Sequence, residues 1–150
     1  MANTYSQIYL HVVFSVRARE KHIKNDFREE LHKYIAGMIR RRGQKLLAIN
    51  SVSDHIHILC NTQPDCNLSD LVRDIKSYST KFINKRRWIN GKFYWQRGFG
   101  VFSYSQSQVD SVIQYIQNQE RHHQTKSFQS EYLEFLKKFK IDYDPKYIFN

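Results

Sequence analysis

Two histidines separated by one hydrophobic residue are the first candidates for chemistry in this sequence. They lie within residues 53–60, where His55 and His57 flank Ile56. The run is short and mostly apolar, which is typical of a β-strand, and successive strand side chains point to opposite faces of a sheet. His55 and His57 therefore share one face, where two imidazoles can bind one divalent cation. An amphipathic strand that carries two histidines without a metal is the simpler alternative.

A second set of candidates lies on a helix that is expected to begin near residue 108. Residues 107–110, Ser-Gln-Val-Asp, are typical of a capping box. An apolar stripe follows, formed by Val109, Val112, Ile113 and Ile116. Helical geometry places Tyr115, Gln119 and His122 together, away from that stripe. One surface can then offer a nucleophilic hydroxyl and an amide oxygen as a metal ligand, although a half-buried tyrosine without a role is the alternative.

The hydrophobic pattern of the first half of the chain predicts three strands and a helix. Alternation over residues 5–16 indicates the first strand. The helix that follows is expected to be capped by Asn25 or Asp26 and to end at Gly43. Residues 45–52 and 54–61 indicate a hairpin, and the histidine pair lies on its second strand.

The remaining elements complete a recognisable order. Asn67 is expected to cap a second long helix, with inner positions at Leu68, Leu71, Val72, Ile75, Tyr78 and Phe82. Residues 93–104 indicate a fourth strand that is broken at residues 97–100. The predicted fold class is therefore α+β, a ferredoxin-like β-α-β-β-α-β sheet with an additional C-terminal tyrosine-bearing helix. In this motif the third strand lies beside the first, so the histidine face is expected in the middle of the sheet.

Length and charge narrow the class of protein. The 150 residues suit one domain, residues 1–150. Apolar residues at helical spacing within residues 128–150 predict a last helix, for which the sequence indicates no function. Lys and Arg number 24 against 14 acidic residues, which gives a net charge of +10 and favours a polyanionic partner. Lys76, Arg97 and Arg17 are the candidate nucleic-acid contacts, with a solvated basic surface as the alternative. Trp95 and Phe99 are expected either to stack on unpaired bases or to fill the core.

Several other classes of protein do not suit this sequence. No apolar run approaches the roughly 20 residues of a membrane-spanning helix, and the N-terminus lacks the pattern of a secretory signal. A cytoplasmic location is therefore expected. Cys60 and Cys66 are too few and wrongly spaced for a zinc knuckle or a disulfide framework, and we interpret both as reduced thiols without a role.

Taken together, the two motifs resemble a known family. His55-Ile56-His57 and the later run Tyr115-Ile-Gln-Asn-Gln119 are similar to the single-tyrosine HUH transposases of small bacterial insertion sequences, where HUH denotes His-hydrophobe-His. Residues 95–98, Trp-Gln-Arg-Gly, lie between them as in that family. Residues 95–100 and 118–123 also resemble the related transposases associated with repetitive extragenic palindromes. The resemblance extends from the first strand to about Phe128.

This resemblance implies a ferredoxin-like homodimer that cuts and rejoins single-stranded DNA near hairpins. His55 and His57 would be metal ligands, Gln119 the third ligand, and Tyr115 the nucleophile that takes the 5′ phosphate. The implied cofactor is Mg²⁺ or Mn²⁺, and His122 or His123 can compete with Gln119 as a ligand. A homodimer also suits a sheet that has two helices on one face and nothing assigned to the other.

Two other functions fit parts of the pattern. A basic ferredoxin-like domain can bind single-stranded nucleic acid without chemistry, as an inactive or domesticated transposase would. A metal-dependent hydrolase that uses water would need a general base near the histidines. Asp54 is expected on the opposite strand face, which disfavours the hydrolase.

Overall fold

The computed structural model describes residues 3–149 and contains one antiparallel sheet. Its strands are β1 (Tyr9–Ser15), β2 (Lys45–Ser51), β3 (His55–Asn61) and β4 (Gly100–Tyr104). The strand order is β2-β3-β1-β4, with every neighbouring pair antiparallel. The helices are α1 (Asn25–Arg41), α2 (Leu68–Arg86), α3 (Val109–Gln117), α4 (Gln119–His122) and α5 (Phe128–Lys138). The predicted α+β, ferredoxin-like order is confirmed, with β3 beside β1 in the middle of the sheet.

The first face of the sheet packs against α1 and α2. β1 contributes Val12 and Phe14 to this core, and β3 contributes Ile56 and Ile58. Their partners from the two helices are buried at the predicted spacing, among them Phe27, Leu31, Ile35, Leu71, Val72 and Ile75. The alternation of the two central strands thus sends their apolar residues to one side, as predicted, and leaves both histidines on the other.

The second face of the sheet is covered by the helices that follow β4. Val13 and Phe102 pack against Phe128 and Phe135 of α5. A second group joins Leu59 of β3 to α3 through Val109, Val112 and Ile116. The histidine face is therefore buried within the chain itself, and the uncovered face that favoured a homodimer does not exist.

Two predicted starts of elements are wrong. β1 begins at Tyr9 rather than at residue 5, and Tyr5 is 92% exposed. α1 begins at Asn25 itself, so neither Asn25 nor Asp26 is its cap, and its N-cap Lys24 makes no side-chain hydrogen bond. The predicted cap of α2 is confirmed, because Asn67 Oδ1 accepts a hydrogen bond from the Asp70 backbone N–H at 3.1 Å.

The inner face of α2 also differs at one position. Tyr78 points outwards and is 46% exposed, so its predicted inner placement is wrong. Ser79 and Ile83 are the fully buried residues of this part of the helix. Within residues 3–149, no helix has the length and apolar character needed to span a bilayer.

The predicted fourth strand is mostly irregular. Only Gly100–Tyr104 forms β4, and the preceding segment joins the sheet through a single bridge between Val16 and Trp95. Trp95 is buried, and its Nε1–H donates to Ser79 Oγ at 2.9 Å. Of its two expected roles, Trp95 therefore fills the core. Gly98 in this segment has a φ of +78°, which a side chain would strain.

The predicted helix after β4 is interrupted. The capping box is formed by Ser105 and Gln108 ahead of a single 3₁₀ turn, not by residues 107–110. α3 ends at Gln117, and Asn118, with φ −97° and ψ 23°, separates it from α4. Tyr115 and Gln119 consequently lie on two consecutive helices.

Candidate active site

The histidine pair lies at the centre of the second face. β3 is flanked by β1 and β2, so its side chains on this face are enclosed on both sides. His55 and His57 are both 0% exposed under the covering helices. Burial of two polar rings costs free energy unless their nitrogens are satisfied.

A carboxylate from α5 meets both rings. Glu131 is 2% exposed, and its Oε1 lies 3.1 Å from His57 Nε2 and 3.3 Å from His55 Nε2. The same oxygen lies 3.2 Å from Nε2 of His123, which follows α4. Three imidazole nitrogens from two parts of the chain therefore converge on one oxygen.

Tyr115 reaches the same carboxylate. Its hydroxyl donates a hydrogen bond to Glu131 Oε2, and its ring stacks on His122 with centroids 4.6 Å apart. Gln119 is 0% exposed, and its Oε1 lies 3.3 Å from His55 Nε2. The structure thus brings together the four residues that the sequence singled out, although it places Glu131 between Tyr115 and the histidines.

The Nδ1 atoms of His55 and His57 also have hydrogen-bond partners. His55 Nδ1 lies 2.7 Å from Asp54 Oδ1, so Asp54 does reach the histidine face, contrary to its predicted position. It contacts the nitrogen that points away from the cluster. His57 Nδ1 lies 2.7 Å from Nε2 of His11, a residue of β1 for which the sequence motifs predict no role.

The charges of the cluster are set by these contacts. Burial alone would raise the pKa of Glu131, but the adjacent imidazoles of His123, His55 and His57 outweigh it and hold this pKa well below its usual range. Burial opposes the charged form of His55, yet the carboxylates of Asp54 and Glu131 raise its pKa. Burial lowers the pKa of His57 to about 4. The cluster therefore contains an ionised Glu131 beside a neutral His57 and a His55 whose pKa is raised.

The same environment suppresses the acidity of Tyr115. Burial raises the pKa of its hydroxyl, and the charge of Glu131 raises it further. A protonated phenol is a weak nucleophile, so this arrangement is a resting one.

The donor atoms suit a bound cation. One ligand atom each from His55, His57, His123 and Glu131 lies within 4.8 Å of the others. Metal–ligand bonds of about 2.0–2.2 Å place neighbouring ligand atoms roughly 3.0–3.5 Å apart, and the observed N···O distances of 3.1–3.3 Å fall in that range. His123 Nε2 is also buried without a hydrogen bond of good geometry among the described residues, as an unused ligand would be.

Sequence reasoning missed Glu131 and His11. A signal for Glu131 existed, because it is the one acid among apolar inner positions of α5, three residues after Phe128 and four before Phe135. For the choice between neighbouring histidines, the structure places His123 in the cluster and stacks His122 on Tyr115.

A cleft of about 460 Å³ leads to Tyr115 from outside. It lies between α3 and α5, and Tyr104, Tyr115, Glu131 and Phe135 line it. Lys126 and Lys138 also line the cleft, and Lys126 is paired with Glu134 at 2.7 Å. The cleft thus combines cationic and aromatic side chains beside the candidate nucleophile.

The candidate DNA contacts lie away from this cleft. Lys76 Nζ donates to the carbonyl oxygens of Gln96, at 2.8 Å, and of Gly98, and burial lowers its pKa to about 8. This lysine therefore holds the segment that carries the exposed Arg97. The Arg17 guanidinium lies 4.3 Å from the centroid of the Tyr94 ring. Contact of these three cations with DNA stays a prediction.

Comparisons with known proteins agree with the geometry. The sequence profile of a family described as "Transposase IS200 like" matches residues 4–119. A crystal structure of a Deinococcus radiodurans protein assigned as a transposase superposes with a TM-score of 0.62 at 19% identity, covering 78% of this chain and 94% of that one. A tyrosine transposase associated with REP sequences, solved bound to a REP hairpin, gives 0.61 at 18% identity, covering 81% and 72%.

Among curated proteins there is no significant match. The two structural similarities support the fold, and the profile match spans most of the chain. The chain therefore belongs to the IS200-like transposase family.

Proposed function

We propose that this transposase cleaves and rejoins single-stranded DNA near hairpins through a 5′-phosphotyrosine intermediate. The observation that carries the proposal is the meeting of the Tyr115 hydroxyl and the histidine pair at one carboxylate. Binding alone requires neither a tyrosine hydroxyl nor two histidines at this point.

The chemistry follows from the residue types. Tyr115 Oη attacks a phosphorus atom of the DNA, a P–O bond forms, and the bond from phosphorus to the 3′ oxygen breaks, leaving a free 3′ hydroxyl. The phosphotyrosine conserves the energy of the broken bond, so the 3′ hydroxyl of another strand can reverse the step without ATP. Glu131 Oε2, which accepts the hydrogen bond of the tyrosine, is the nearest acceptor for its proton, and the departing 3′ oxygen takes up a proton from solvent.

His55, His57 and Glu131 would hold a divalent cation, with His123 and Gln119 as further ligands. A cation there would neutralise charge on the scissile phosphate and orient it. Of the two expected ions, Mg²⁺ and Mn²⁺, we favour Mn²⁺, because imidazole nitrogens suit it better than they suit Mg²⁺.

The proposed partner is single-stranded DNA with hairpin ends. The net charge of +10 supports a polyanion, and the neighbour with the same fold was solved with a hairpin. Lys76, Arg97 and Arg17 are the proposed DNA contacts. The homodimer and the cytoplasmic location of action rest on the family resemblance, and the interpretation of residues 1–150 as one domain rests on the length of the chain.

A metal-dependent hydrolase is the second candidate, because Glu131 provides the carboxylate near the histidines that a water-activating enzyme needs. It differs from the transposase in one respect. Hydrolysis would cut DNA without a covalent intermediate and would not need Tyr115.

The test uses two labelled forms of one hairpin-bearing oligonucleotide with Mn²⁺. With the label at the 3′ end, the transposase should carry label into a band at protein mass on a denaturing gel. With the label at the 5′ end, a short free fragment with an extendable 3′ hydroxyl should appear. Cleavage without the protein-bound band would favour the hydrolase, and binding without cleavage would favour a non-catalytic module.

A further inference from the structure

His11 lies beside the candidate metal site and contributes nothing to the cluster directly. It belongs to β1 and is 0% exposed. Its one hydrogen bond within residues 3–149 joins Nε2 to His57 Nδ1 at 2.7 Å, and the two rings stack with centroids 4.9 Å apart.

The surroundings of His11 are otherwise aromatic. The rings of Phe102, Tyr104 and Phe135 lie 5.4–6.1 Å from its centroid. Its Nδ1 is buried without a hydrogen-bond partner among the described residues. A buried polar atom without a partner is costly, and an apolar side chain would fill this space without that cost. Packing therefore does not account for a histidine here.

The candidate ligands His55 and His57 differ in the group that contacts their Nδ1 atoms. His55 has the carboxylate of Asp54 behind Nδ1, and His57 has the imidazole of His11 in the same position. An imidazole that binds a cation through Nε2 carries its proton on Nδ1, and a hydrogen-bond acceptor behind Nδ1 fixes both the tautomer and the direction of the ring.

We infer that His11 is a positioning residue, whose Nε2 accepts the Nδ1–H of His57 and thereby directs the His57 Nε2 lone pair into the cluster. The inference rests on the proposed role of His57 as a ligand. This role explains why a histidine is present here although its Nδ1 has no hydrogen-bond partner among the described residues. In this arrangement Nδ1 carries the proton of the His11 ring.

The test measures Mn²⁺ affinity by electron paramagnetic resonance in His11→Leu and His11→Gln, together with thermal unfolding of each metal-free protein. Leucine removes the acceptor, so Mn²⁺ affinity should fall about 10–100-fold. The metal-free His11→Leu protein should unfold at about the same temperature as the parent, because removal of the unpartnered His11 Nδ1 offsets the hydrogen bond that His57 Nδ1 loses. Glutamine can place an amide oxygen near the lost Nε2 and should restore affinity to within a few-fold.

A loss of Mn²⁺ affinity without a loss of stability separates positioning from packing. Suppose that His57→Ala weakens Mn²⁺ binding. Unchanged Mn²⁺ affinity in His11→Leu, or no recovery of affinity in His11→Gln, would then overturn the inference about His11. Unchanged affinity in His57→Ala as well would show that the proposed ligand assignment had failed.

Discussion

Glu131 Oε1 lies 3.1 Å from His57 Nε2, across 74 residues of sequence. The contact joins α5 to the central strand of the sheet and places a charged carboxylate next to Tyr115. It explains how one helix can both complete the site and hold its tyrosine in a resting, protonated state.

Loss of individual ligands should weaken Mn²⁺ binding in a definite order. His57→Ala and Glu131→Gln remove donors at the point where the cluster converges, so each should lower affinity by about 10–100-fold or more. Gln119→Ala should have the smallest effect, because water can replace one neutral oxygen. Calorimetric titration with Mn²⁺ checks the order.

Glu134→Gln is the matched control for this series. It removes an exposed carboxylate on the same helix and should leave Mn²⁺ affinity unchanged. A larger loss in Gln119→Ala than in Glu131→Gln would reverse our assignment of the ligands.

Gly100→Ala should destabilise the docking of α5 on the sheet. A Cβ at Gly100 would lie 2.8 Å from Cε1 of the Tyr132 ring, closer than real contacts allow. We expect a loss of about 1–3 kcal/mol in the free energy of unfolding, measured with denaturant. In a Tyr132→Ala background the same substitution should cost much less, and an equal cost in both backgrounds would refute the steric explanation.

The free energy of unfolding should decrease as the pH is lowered, in part because His32 becomes protonated more readily in the unfolded state. Burial, assisted by the charge of Arg28, lowers the pKa of His32 to about 4, while its unfolded value is near 6.5. The folded state therefore binds fewer protons than the unfolded state in this window. The stabilisation from this residue is complete above about pH 6.5 and is lost as the pH falls towards 4, by an amount on the order of 2 kcal/mol.

His32→Gln should flatten this part of the stability profile. The side chain lies 2.7 Å from Ser51 Oγ, away from the candidate site, so the variant tests the titration without disturbing the cluster. Chemical unfolding at several pH values between 4 and 7 checks it. A parallel profile in parent and variant would assign the acid sensitivity to other groups.

The fold was predictable because hydrophobic periodicity is a local property of the sequence. The alternation in β1 and β3 was enough to separate the apolar core from the histidine face. The prediction of the fourth strand was wrong for its first half, because the conformation there depends on tertiary contacts. Residues 93–99 have the composition of a strand, but Lys76 of α2 donates to the carbonyl oxygens of Gln96 and Gly98, and Asn84 pairs with the backbone of Phe93.

The candidate site was predictable only where its motifs are compact. His55 and His57 are fixed by one strand, and Tyr115 and Gln119 by four residues of spacing. Glu131 and His11 contact His57 from elements more than 40 residues away in the sequence, and no local pattern links them to it. The position of Glu131 follows from the second helical layer and that of His11 from the pairing register of β1 and β3, neither of which the sequence pattern defines.

Binding should favour unpaired DNA and depend strongly on salt. A basic surface releases counterions when it binds phosphates, so affinity for a hairpin with a single-stranded flank should fall steeply between low and moderate salt. Arg97→Ala should reduce the slope of log K against log salt by about one, whereas the exposed control Arg73→Ala should not. Fluorescence anisotropy gives both slopes. Equal affinity for blunt duplex DNA would contradict this account of the substrate.

The nucleophile is the central claim, and mapping the covalent bond tests it most directly. The protein is incubated with a hairpin-bearing single strand and Mn²⁺, digested with a protease and a nuclease, and the nucleotide remnant is located by mass spectrometry. The remnant should lie on Tyr115, and Tyr115→Phe should form no adduct while it retains fold and DNA binding. Tyr104→Phe and Tyr132→Phe, the nearest alternative tyrosines in the sequence, should still form it. A remnant on either of those tyrosines, or an adduct in Tyr115→Phe, would contradict the account.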